Sequence, residues 1–356
     1  MDCHGGADFA DIRSAIAGAI SGDEIAVAPC AYYGSLDFEG KSLAIVGTDP
    51  ATTIVYASPG TSVLKATKGE GRATRVEAIT LTGGGGDAET PGIEVSFSSL
   101  VLRNVVVSGN AGMAALYSRS GHVLIERTVF ENNTASLGIL IQARRGEVVV
   151  QDSTVRCGTV GVGYQAEHGA ALVDGATFEC ANGRSIEIFH AQSRIQRSVL
   201  AGQLYVENEG NDDEYTVVKG TVLASGASVL YSGLVLENVV ATGGLIASGS
   251  SLSLSSSIVT GQDCAITASG STVTTSYSVF WENAANGCGF ADPLTRDSTS
   301  KAVDPGFIDA AGSDFHLAAE SSLVNAGPTT SSSNDPDGSR NDIGAYGGHF
   351  SLGGGW

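Results

Sequence analysis

The chain has 356 residues, 48 of them glycine, and 42% of the residues are hydrophobic, which is more than a disordered chain would contain. It carries 19 Lys and Arg against 38 Asp and Glu, so the formal net charge is −19. A surface this acidic repels phosphate backbones, which excludes nucleic acid as an expected partner. No run of 18 apolar residues occurs, so no transmembrane segment is predicted.

The first predicted element is an amphipathic helix over residues 7–20. Apolar residues recur there at steps of three and four, on one helical face: Phe9, Ile12, Ile16 and Ile20. Asp8 is the expected N-cap, and Gly22 and Asp23 are the expected stop. We interpret residues 1–24 as a cap that covers the open end of the core.

Residues 25–288 repeat a short β-rich pattern. Nine segments, from LRNVVVSGN at 102–110 to TSYSVFWEN at 275–283, start 18 to 25 residues apart. Strands of this kind bury their face only by stacking, coil on coil, about 4.8 Å apart. The predicted fold is therefore all-β. It is a right-handed single-stranded parallel β-helix with an N-terminal capping helix and an irregular C-terminal tail over 289–356, in a single domain of residues 1–356.

The six cysteines fall into three local pairs: Cys3 with Cys30, Cys157 with Cys180, and Cys264 with Cys288. Cys157 and Cys180 hold the same place in successive repeats, so stacking brings them within bridging distance. The third pair follows the last two repeats in a similar way, and the first pair flanks the predicted helix. Three bridges imply an oxidising compartment. The alternative is that the cysteines are small buried fillers.

A second strand in each coil reads LYSR (116–119), IQAR (141–144), YQAE (164–167), IEIF (186–189) and LYVE (204–207). Alternation predicts these inward residues: Leu116, Ser118, Ile141, Ala143, Tyr164, Ala166, Ile186, Ile188, Leu204 and Val206. Among them, Tyr164 fits an apolar interior poorly. The outward residues form two rows, Tyr117, Gln142, Gln165, Glu187, Tyr205 and Arg119, Arg144, Glu167, Phe189, Glu207. Arg145, His168 and His190 lie just beyond, and the loop of residues 208–214 is expected to overhang this face.

These outward rows are the predicted functional site, with all its side chains converging on one surface. The candidate catalytic residues are Arg144, Glu167, His168, Glu187, His190 and Glu207. The candidate substrate-binding residues are Tyr117, Gln142, Arg145, Gln165, Phe189 and Tyr205. Aromatic rings offer flat surface to a sugar, Gln and Glu bind its hydroxyls, and Arg pairs with a carboxylate. The alternative is a polar face that only keeps the protein soluble.

Two reactions suit such a face. In a lyase, Arg144 or Arg145 would neutralise a uronate carboxylate. His168, His190 or Tyr205 would then remove the proton from C5 of the sugar. In a glycosidase, Glu167 and Glu207 would lie two coils apart, about 9.6 Å, near the range for inversion. Glu187 with a neighbour one coil away would suit retention.

The tail contains DPDGSRND at 335–342, which is a second candidate site. Carboxylates alternating around a glycine turn are typical of Ca²⁺ loops, so Ca²⁺ is predicted here. The predicted ligands are Asp335, Asp337, Asn341 and Asp342. The motif lacks the final Glu of an EF-hand. The alternative is an Asx-rich turn in which Arg340 pairs with a carboxylate.

Three stretches resemble the pectate-lyase-like superfamily of extracellular β-helix proteins. They are DFADIRSAIAGAISGDEIAVAPCAYY near the start, and VDPGFIDAAGSDFHLAAESSLVNAG and DPDGSRNDIGAYGG in the tail. The resemblance implies the fold and a secreted or cell-surface bacterial location, but no particular reaction. The chain lacks the Asn-Thr-Asp, Gly-His-Gly and Arg-Ile-Lys motifs of polygalacturonases, the Trp-Ile-Asp-His motif of pectate lyases and the Asp-Pro-His-Glu motif of alginate epimerases.

Two functions remain open. The first is an extracellular carbohydrate-interacting protein, either a lyase or a glycoside hydrolase on an acidic polysaccharide or cell-surface glycan. The second is a non-catalytic surface protein, a structural element or adhesin. Ice binding ranks below both, because the Ser and Thr runs at 251–257 and 271–275 are too irregular for a flat array. The chain is expected to be a monomer.

Overall fold

A computed structural model describes residues 1–3, 5–208, 215–290 and 297–352. The chain is nearly all β, with 47% of residues in strands and 3% in helices, and it forms a parallel β-solenoid, which confirms the predicted fold class. It divides into two compact units. Unit 1 contains residues 1–172 and 176–183, and unit 2 contains residues 173–175 and 184–352. The single-domain assignment stays a prediction.

Up to residue 183 the described residues form one helix and 22 short strands. The elements are α1 (Ile12–Gly18), β1 (Glu24–Ala26), β2 (Cys30–Tyr33), β3 (Leu36–Asp37), β4 (Ala44–Val46), β5 (Thr53–Tyr56), β6 (Leu64–Ala66), β7 (Arg75–Glu77), β8 (Thr80–Thr82), β9 (Ile93–Ser96), β10 (Ser99–Arg103), β11 (Val106–Ser108), β12 (Ala111–Gly112), β13 (Leu116–Arg119), β14 (His122–Glu126), β15 (Val129–Glu131), β16 (Thr134–Ala135), β17 (Ile139–Arg144), β18 (Glu147–Gln151), β19 (Thr154–Arg156), β20 (Val162–Glu167), β21 (Ala171–Asp174) and β22 (Thr177–Glu179).

After residue 183 the described elements are strands and one 3-10 turn at Ser331–Ser333. The strands are β23 (Arg184–Phe189), β24 (Ser193–Gln196), β25 (Val199–Leu200), β26 (Gln203–Glu207), β27 (Tyr215–Leu223), β28 (Ala227–Leu230), β29 (Gly233–Ala241), β30 (Leu245–Ser248), β31 (Ser251–Ser255), β32 (Ile258–Thr260), β33 (Cys264–Ser269), β34 (Thr272–Ser276), β35 (Val279–Trp281), β36 (Ala285–Cys288), β37 (Phe307–Asp309) and β38 (Asp314–Leu317).

In each unit, the second strands of the coils form a parallel sheet, called the narrow sheet, whose outward residues include the predicted site. In unit 1 the narrow sheet runs β3-β6-β9-β13-β17-β20, and in unit 2 it runs β23-β26-β28-β30-β33-β36. The register places Leu116 beside Ile141 and Ile141 beside Tyr164. All ten residues predicted to point inward are fully buried, which confirms the alternation read from the sequence.

Tyr164 enters the core because its hydroxyl finds a partner there. The side chain is fully buried, and its hydroxyl donates to the Val148 carbonyl oxygen at 3.2 Å. Burial raises the pKa of Tyr164, so the phenol stays protonated. A buried hydroxyl that donates to a main-chain carbonyl avoids most of the cost of leaving water.

The N-terminal helix is shorter than predicted. It spans Ile12–Gly18, and its N-cap is Asp11 rather than Asp8. The Asp11 carboxylate accepts from the Ser14 amide at 2.8 Å, which satisfies one of the free amides of the first turn. Ile12, Ala15 and Ile16 are buried, whereas Phe9 and Ile20 lie beyond the helix and remain exposed, at 37% and 71%.

The three predicted disulfides are confirmed. The Cα atoms are 6.4 Å apart in Cys3–Cys30, 5.0 Å in Cys157–Cys180 and 6.2 Å in Cys264–Cys288. The 5.0 Å separation of Cys157 and Cys180 is close to the spacing of neighbouring strands, as expected for equivalent residues of successive coils. No free cysteine is found among the described residues.

The C-terminal tail covers an apolar column of unit 2. Val222, Val240, Ile258 and Val279 follow one another in register on β27, β29, β32 and β35. The tail buries this column with four apolar side chains: Phe315, Leu323, Ile343 and Ala345. The tail therefore packs along the side of several coils. This contact buries apolar surface that the loops of the tail could not bury against one another.

Candidate functional site

In unit 1 the first outward row is a ladder of Tyr117, Gln142 and Gln165 on β13, β17 and β20. The Gln142 side-chain amide donates to the Gln165 side-chain oxygen at 2.9 Å. Gln142 is only 7% exposed, so most of its surface is not available to a ligand. The hydrogen bond between the two amides stabilises the stacking of the coils. Of the two residues, Gln165 is the more accessible to a ligand.

The second row of unit 1 contains an ion pair. Arg144 donates to Glu167 through Nε and through Nη2, at 2.8 and 2.9 Å. The hydrogen bond from Arg144 holds the pKa of the Glu167 carboxyl below its usual range, and the charges of Arg144, His168 and Arg145 act in the same direction. Glu167 is therefore ionised near neutral pH and unsuited to act as a general acid. Arg144 is already neutralised, which weakens its predicted role on a uronate.

Arg145 and His168 lie at the turns that end β17 and β20. Both have left-handed backbone conformations, with φ of 55° and 54°, and both are exposed. The Arg145 amide donates to the Glu167 carbonyl oxygen at 2.8 Å, so the turn of one coil is hydrogen-bonded to the strand of the next. Unit 1 thus brings together the predicted residues of β13, β17 and β20 and the two turn residues.

In unit 2 Glu187 lies beside Tyr205 in the predicted row, but it is only 6% exposed. Its carboxylate accepts from Arg184 at 2.5 Å, and a buried carboxylate requires such a partner. Sequence reasoning missed Arg184, because it lies two residues before the IEIF segment and its role depends on folding back over the strand.

Arg184 also covers one face of a neighbouring aromatic ring. Its guanidinium carbon lies 3.8 Å from the centroid of the Tyr205 ring, and the Phe189 ring lies 5.8 Å from that ring at a tilt of 56°. The Tyr205 hydroxyl donates to Glu207 at 2.7 Å. Burial raises the pKa of Tyr205 to about 12, and the hydrogen bond to Glu207 acts in the same direction. Tyr205 is therefore a poor base near neutral pH.

His190 ends β23 in the same left-handed conformation, with φ of 52°. Asn208, which follows β26, is buried, and its side-chain oxygen accepts from the Ala191 amide at 3.2 Å. The rest of the loop predicted to overhang the face, residues 209–214, lies outside the described residues. Unit 2 thus brings together Glu187, Phe189, His190, Tyr205 and Glu207.

The predicted residues therefore form one group in each unit. The unit 1 group is Tyr117, Gln142, Arg144, Arg145, Gln165, Glu167 and His168, and the unit 2 group is Glu187, Phe189, His190, Tyr205 and Glu207, with Arg184 added. Convergence of both groups on one surface, and with it the Glu167–Glu207 separation of a glycosidase, stays a prediction.

In the tail loop the carboxylates bind backbone amides. Asp335 accepts from the Asp342 amide at 3.2 Å, and Asp337 accepts from the Ser339 amide at 2.8 Å. Arg340 Nε donates to the Gly327 carbonyl oxygen at 2.7 Å, and among the described residues no carboxylate forms an ion pair with it. Across the described ranges no group of three or more His, Cys, Asp or Glu is placed to hold a metal ion.

Asn341, the fourth predicted ligand, is buried and turned toward the coils. Its side-chain amide donates to Asn238 Oδ1 at 3.0 Å and to the Ser333 carbonyl oxygen at 2.8 Å. Asn238 in turn donates to the Asp342 carbonyl oxygen at 2.7 Å. This network attaches the tail loop to β29.

Ca²⁺ binding by the tail loop stays a prediction. If Asp335, Asp337 and Asp342 bind the ion, then the melting temperature should rise in millimolar Ca²⁺ relative to EDTA, because a ligand of the folded state stabilises it. Identical melting curves in the two solutions would count against the site. A matched comparison with Mg²⁺ separates specific binding from a general effect of ionic strength.

Comparisons with known proteins assign no family. No family model matches the chain, and no curated protein matches it. Among solved structures the chain is similar to the crystal structure of pectate lyase Pel9A, with a TM-score of 0.49 and 15% sequence identity. That match covers 94% of this chain and 90% of the other.

Proposed function

We propose that this protein is an extracellular glycan-binding β-helix, with the outward faces of its narrow sheets as the binding surface. The proposal rests on the arrangement around Tyr205. Arg184 contacts the Tyr205 ring and the Glu187 carboxylate, and the Tyr205 hydroxyl donates to the Glu207 carboxylate. Side chains that are already fixed lose little conformational entropy when a ligand binds. Carboxylates accept hydrogen bonds from sugar hydroxyls, and Phe189 adds apolar surface at the edge.

The charges on these faces favour an uncharged glycan. Arg144 is paired with Glu167, and Arg184 is paired with Glu187. The whole chain carries a net charge of −19, which repels a polyanion. An acidic glycan, the expectation from sequence, therefore becomes the second choice of ligand.

Two of the predicted catalytic roles do not fit the protonation states of their residues. The ionised Glu167 cannot supply a proton to a leaving group near neutral pH, and Tyr205, with a pKa of about 12, cannot take one from C5. We therefore place binding ahead of the lyase and hydrolase reactions.

An extracellular location is the setting that we propose. Three disulfides persist most readily in an oxidising compartment. In the described part of the chain, no helix is long and apolar enough to cross a membrane.

The rival function, a non-catalytic structural or adhesion protein, has its own support in unit 1. Arg156 pairs with Glu131 at 2.9 Å and with Glu179 at 3.2 Å, so one side chain links three successive coils. Networks of this kind stabilise a stack whatever it binds. The rival is favoured if no glycan binds.

Glu207→Gln tests the proposal. Losing the carboxylate should weaken the binding of a neutral hexasaccharide by roughly tenfold or more, because hydrogen bonds to a charged group contribute about 1.5–3 kcal/mol. Titration calorimetry with cellohexaose and mannohexaose measures the change. Glu237→Gln is the matched control, since Glu237 is also partly exposed and pairs with Lys219, and it lies on β29, which belongs to a different parallel sheet from the narrow one. Equal losses in both variants would contradict a site at Glu207.

A further inference from the structure

Two tyrosines lie stacked on the surface of the first coils of unit 1. Tyr33 and Tyr56 hold matched positions on β2 and β5. Their ring centroids are 5.1 Å apart, and the planes differ by 17°. Tyr33 is 80% exposed and Tyr56 is 36% exposed. The pair is therefore a flat aromatic surface in contact with water, which is the kind of feature that marks a binding site.

A groove lies beside this tyrosine pair. Two cavities of about 370 and 430 Å³ share Arg13, Ser35 and Ser58, so they adjoin each other beside α1. The smaller cavity includes Tyr33 in its wall. The larger one extends to the polar residues Asp37, Glu39, Thr61 and Lys65.

The groove supplies both donors and acceptors. The Ser35 and Thr61 hydroxyls are hydrogen-bonded to each other at 2.7 Å, which fixes their positions. Arg13 is exposed at the part that both cavities share, where its guanidinium can donate to a ligand. Asp37 provides carboxylate oxygens at the far end. A flat aromatic surface followed by alternating donors and acceptors matches a sugar ring, which has an apolar C–H face and a rim of hydroxyls.

We propose that this groove is a second saccharide-binding site, at the first strands of the unit 1 narrow sheet rather than at the predicted residues of β13, β17 and β20. It takes an uncharged oligosaccharide with one sugar ring on Tyr33 and Tyr56. The charges in the groove support a neutral ligand. Lys65 lies 3.8 Å from Glu94, Asp37 pairs with Lys68 at 3.3 Å, and the carboxylate of Glu39 offsets the charge of Arg13. A uronate chain would meet these carboxylates, so it is the ligand that the groove disfavours.

The test is a double substitution, Tyr33→Ala with Tyr56→Ala, in the intact chain. Calorimetric titration of the unchanged chain with cellohexaose or mannohexaose should give two sites per chain. In the double variant, the affinity of one of these two sites should be at least roughly tenfold lower, which corresponds to about 1.4 kcal/mol. The melting temperature should hardly change, because exposed side chains contribute little to stability. Tyr215→Ala is the matched control, since Tyr215 is a 50% exposed tyrosine on β27.

The outcomes separate this proposal from the narrow-sheet site. Loss of one site in the tyrosine variant but not in Tyr215→Ala supports the groove, whatever Glu207→Gln does. Unchanged binding in the tyrosine variant overturns the groove and leaves the narrow-sheet site standing if Glu207→Gln loses affinity. Tighter binding of hexagalacturonate than of either neutral probe also overturns it. If the unchanged protein is a dimer and the tyrosine variant is a monomer, the proposal is also overturned, because a second copy of the chain would then cover the rings.

Discussion

Tyr164→Ala is expected to lower the free energy of unfolding by roughly 3–5 kcal/mol, the largest effect of any single substitution considered for this chain. The ring extends from β20 into the core and is fully buried, and its hydroxyl reaches Val148 on β18, so its removal leaves a cavity inside the coil. Chemical denaturation followed by circular dichroism measures the change.

Tyr164→Phe is the matched control for that substitution. It keeps the ring and removes only the hydroxyl that donates to the Val148 carbonyl oxygen, so the loss should be about 1 kcal/mol. A Phe variant as unstable as the Ala variant would mean that the hydroxyl, rather than the packing of the ring, stabilises this coil. A loss below about 1 kcal/mol in Tyr164→Ala would contradict the buried position.

Replacing Cys157 and Cys180 together by alanine should cost about 3 kcal/mol. The bridge spans a sequence separation of 23 residues, and releasing it gives the unfolded chain more conformational freedom. The unfolding midpoint in guanidinium should fall, and reduction of the unchanged chain should lower it further, because two more bridges would open. If non-reducing peptide mapping found free thiols at both positions, the bridge and the argument for an oxidising compartment would fail together.

The fold was predictable because one local pattern recurs along the chain. Alternation in the second strand of each coil placed Leu116, Ile141 and Leu204 inside, and each is buried. The pairing of Cys157 with Cys180 followed from the same register, since equivalent positions of successive coils stack. Repetition amplifies a weak signal, so an error in one coil hardly affects the assignment of the others.

Features that depend on one particular contact were not predictable. The helix begins at Ile12 because Asp11, not Asp8, reaches the Ser14 amide. Likewise, the alternating pattern placed Glu187 on the outside but could not show that Arg184 would fold over and bury it. Side-chain pairing depends on rotamers and on the next coil, neither of which appears in the local sequence.

The candidate site was predictable as a set of positions and not as a set of roles. Outward alternation placed these residues in register on neighbouring strands, yet their assigned chemistry assumed free charges. Arg144 and Glu167 instead neutralise each other, and the Tyr205 phenol is engaged by Glu207. Pairing between neighbours changes protonation states by amounts that decide whether a group can catalyse.

The most direct test of the account is electrophoresis of the unchanged protein through gels that contain a neutral glucan or mannan, followed by analysis of the polysaccharide for new chain ends. We expect the neutral polysaccharide to retard the protein, polygalacturonate to retard it less, and neither reducing nor unsaturated ends to form. Equal mobility in every gel would contradict glycan binding and favour the structural protein. Retardation with release of new ends would show instead that the protein is an enzyme.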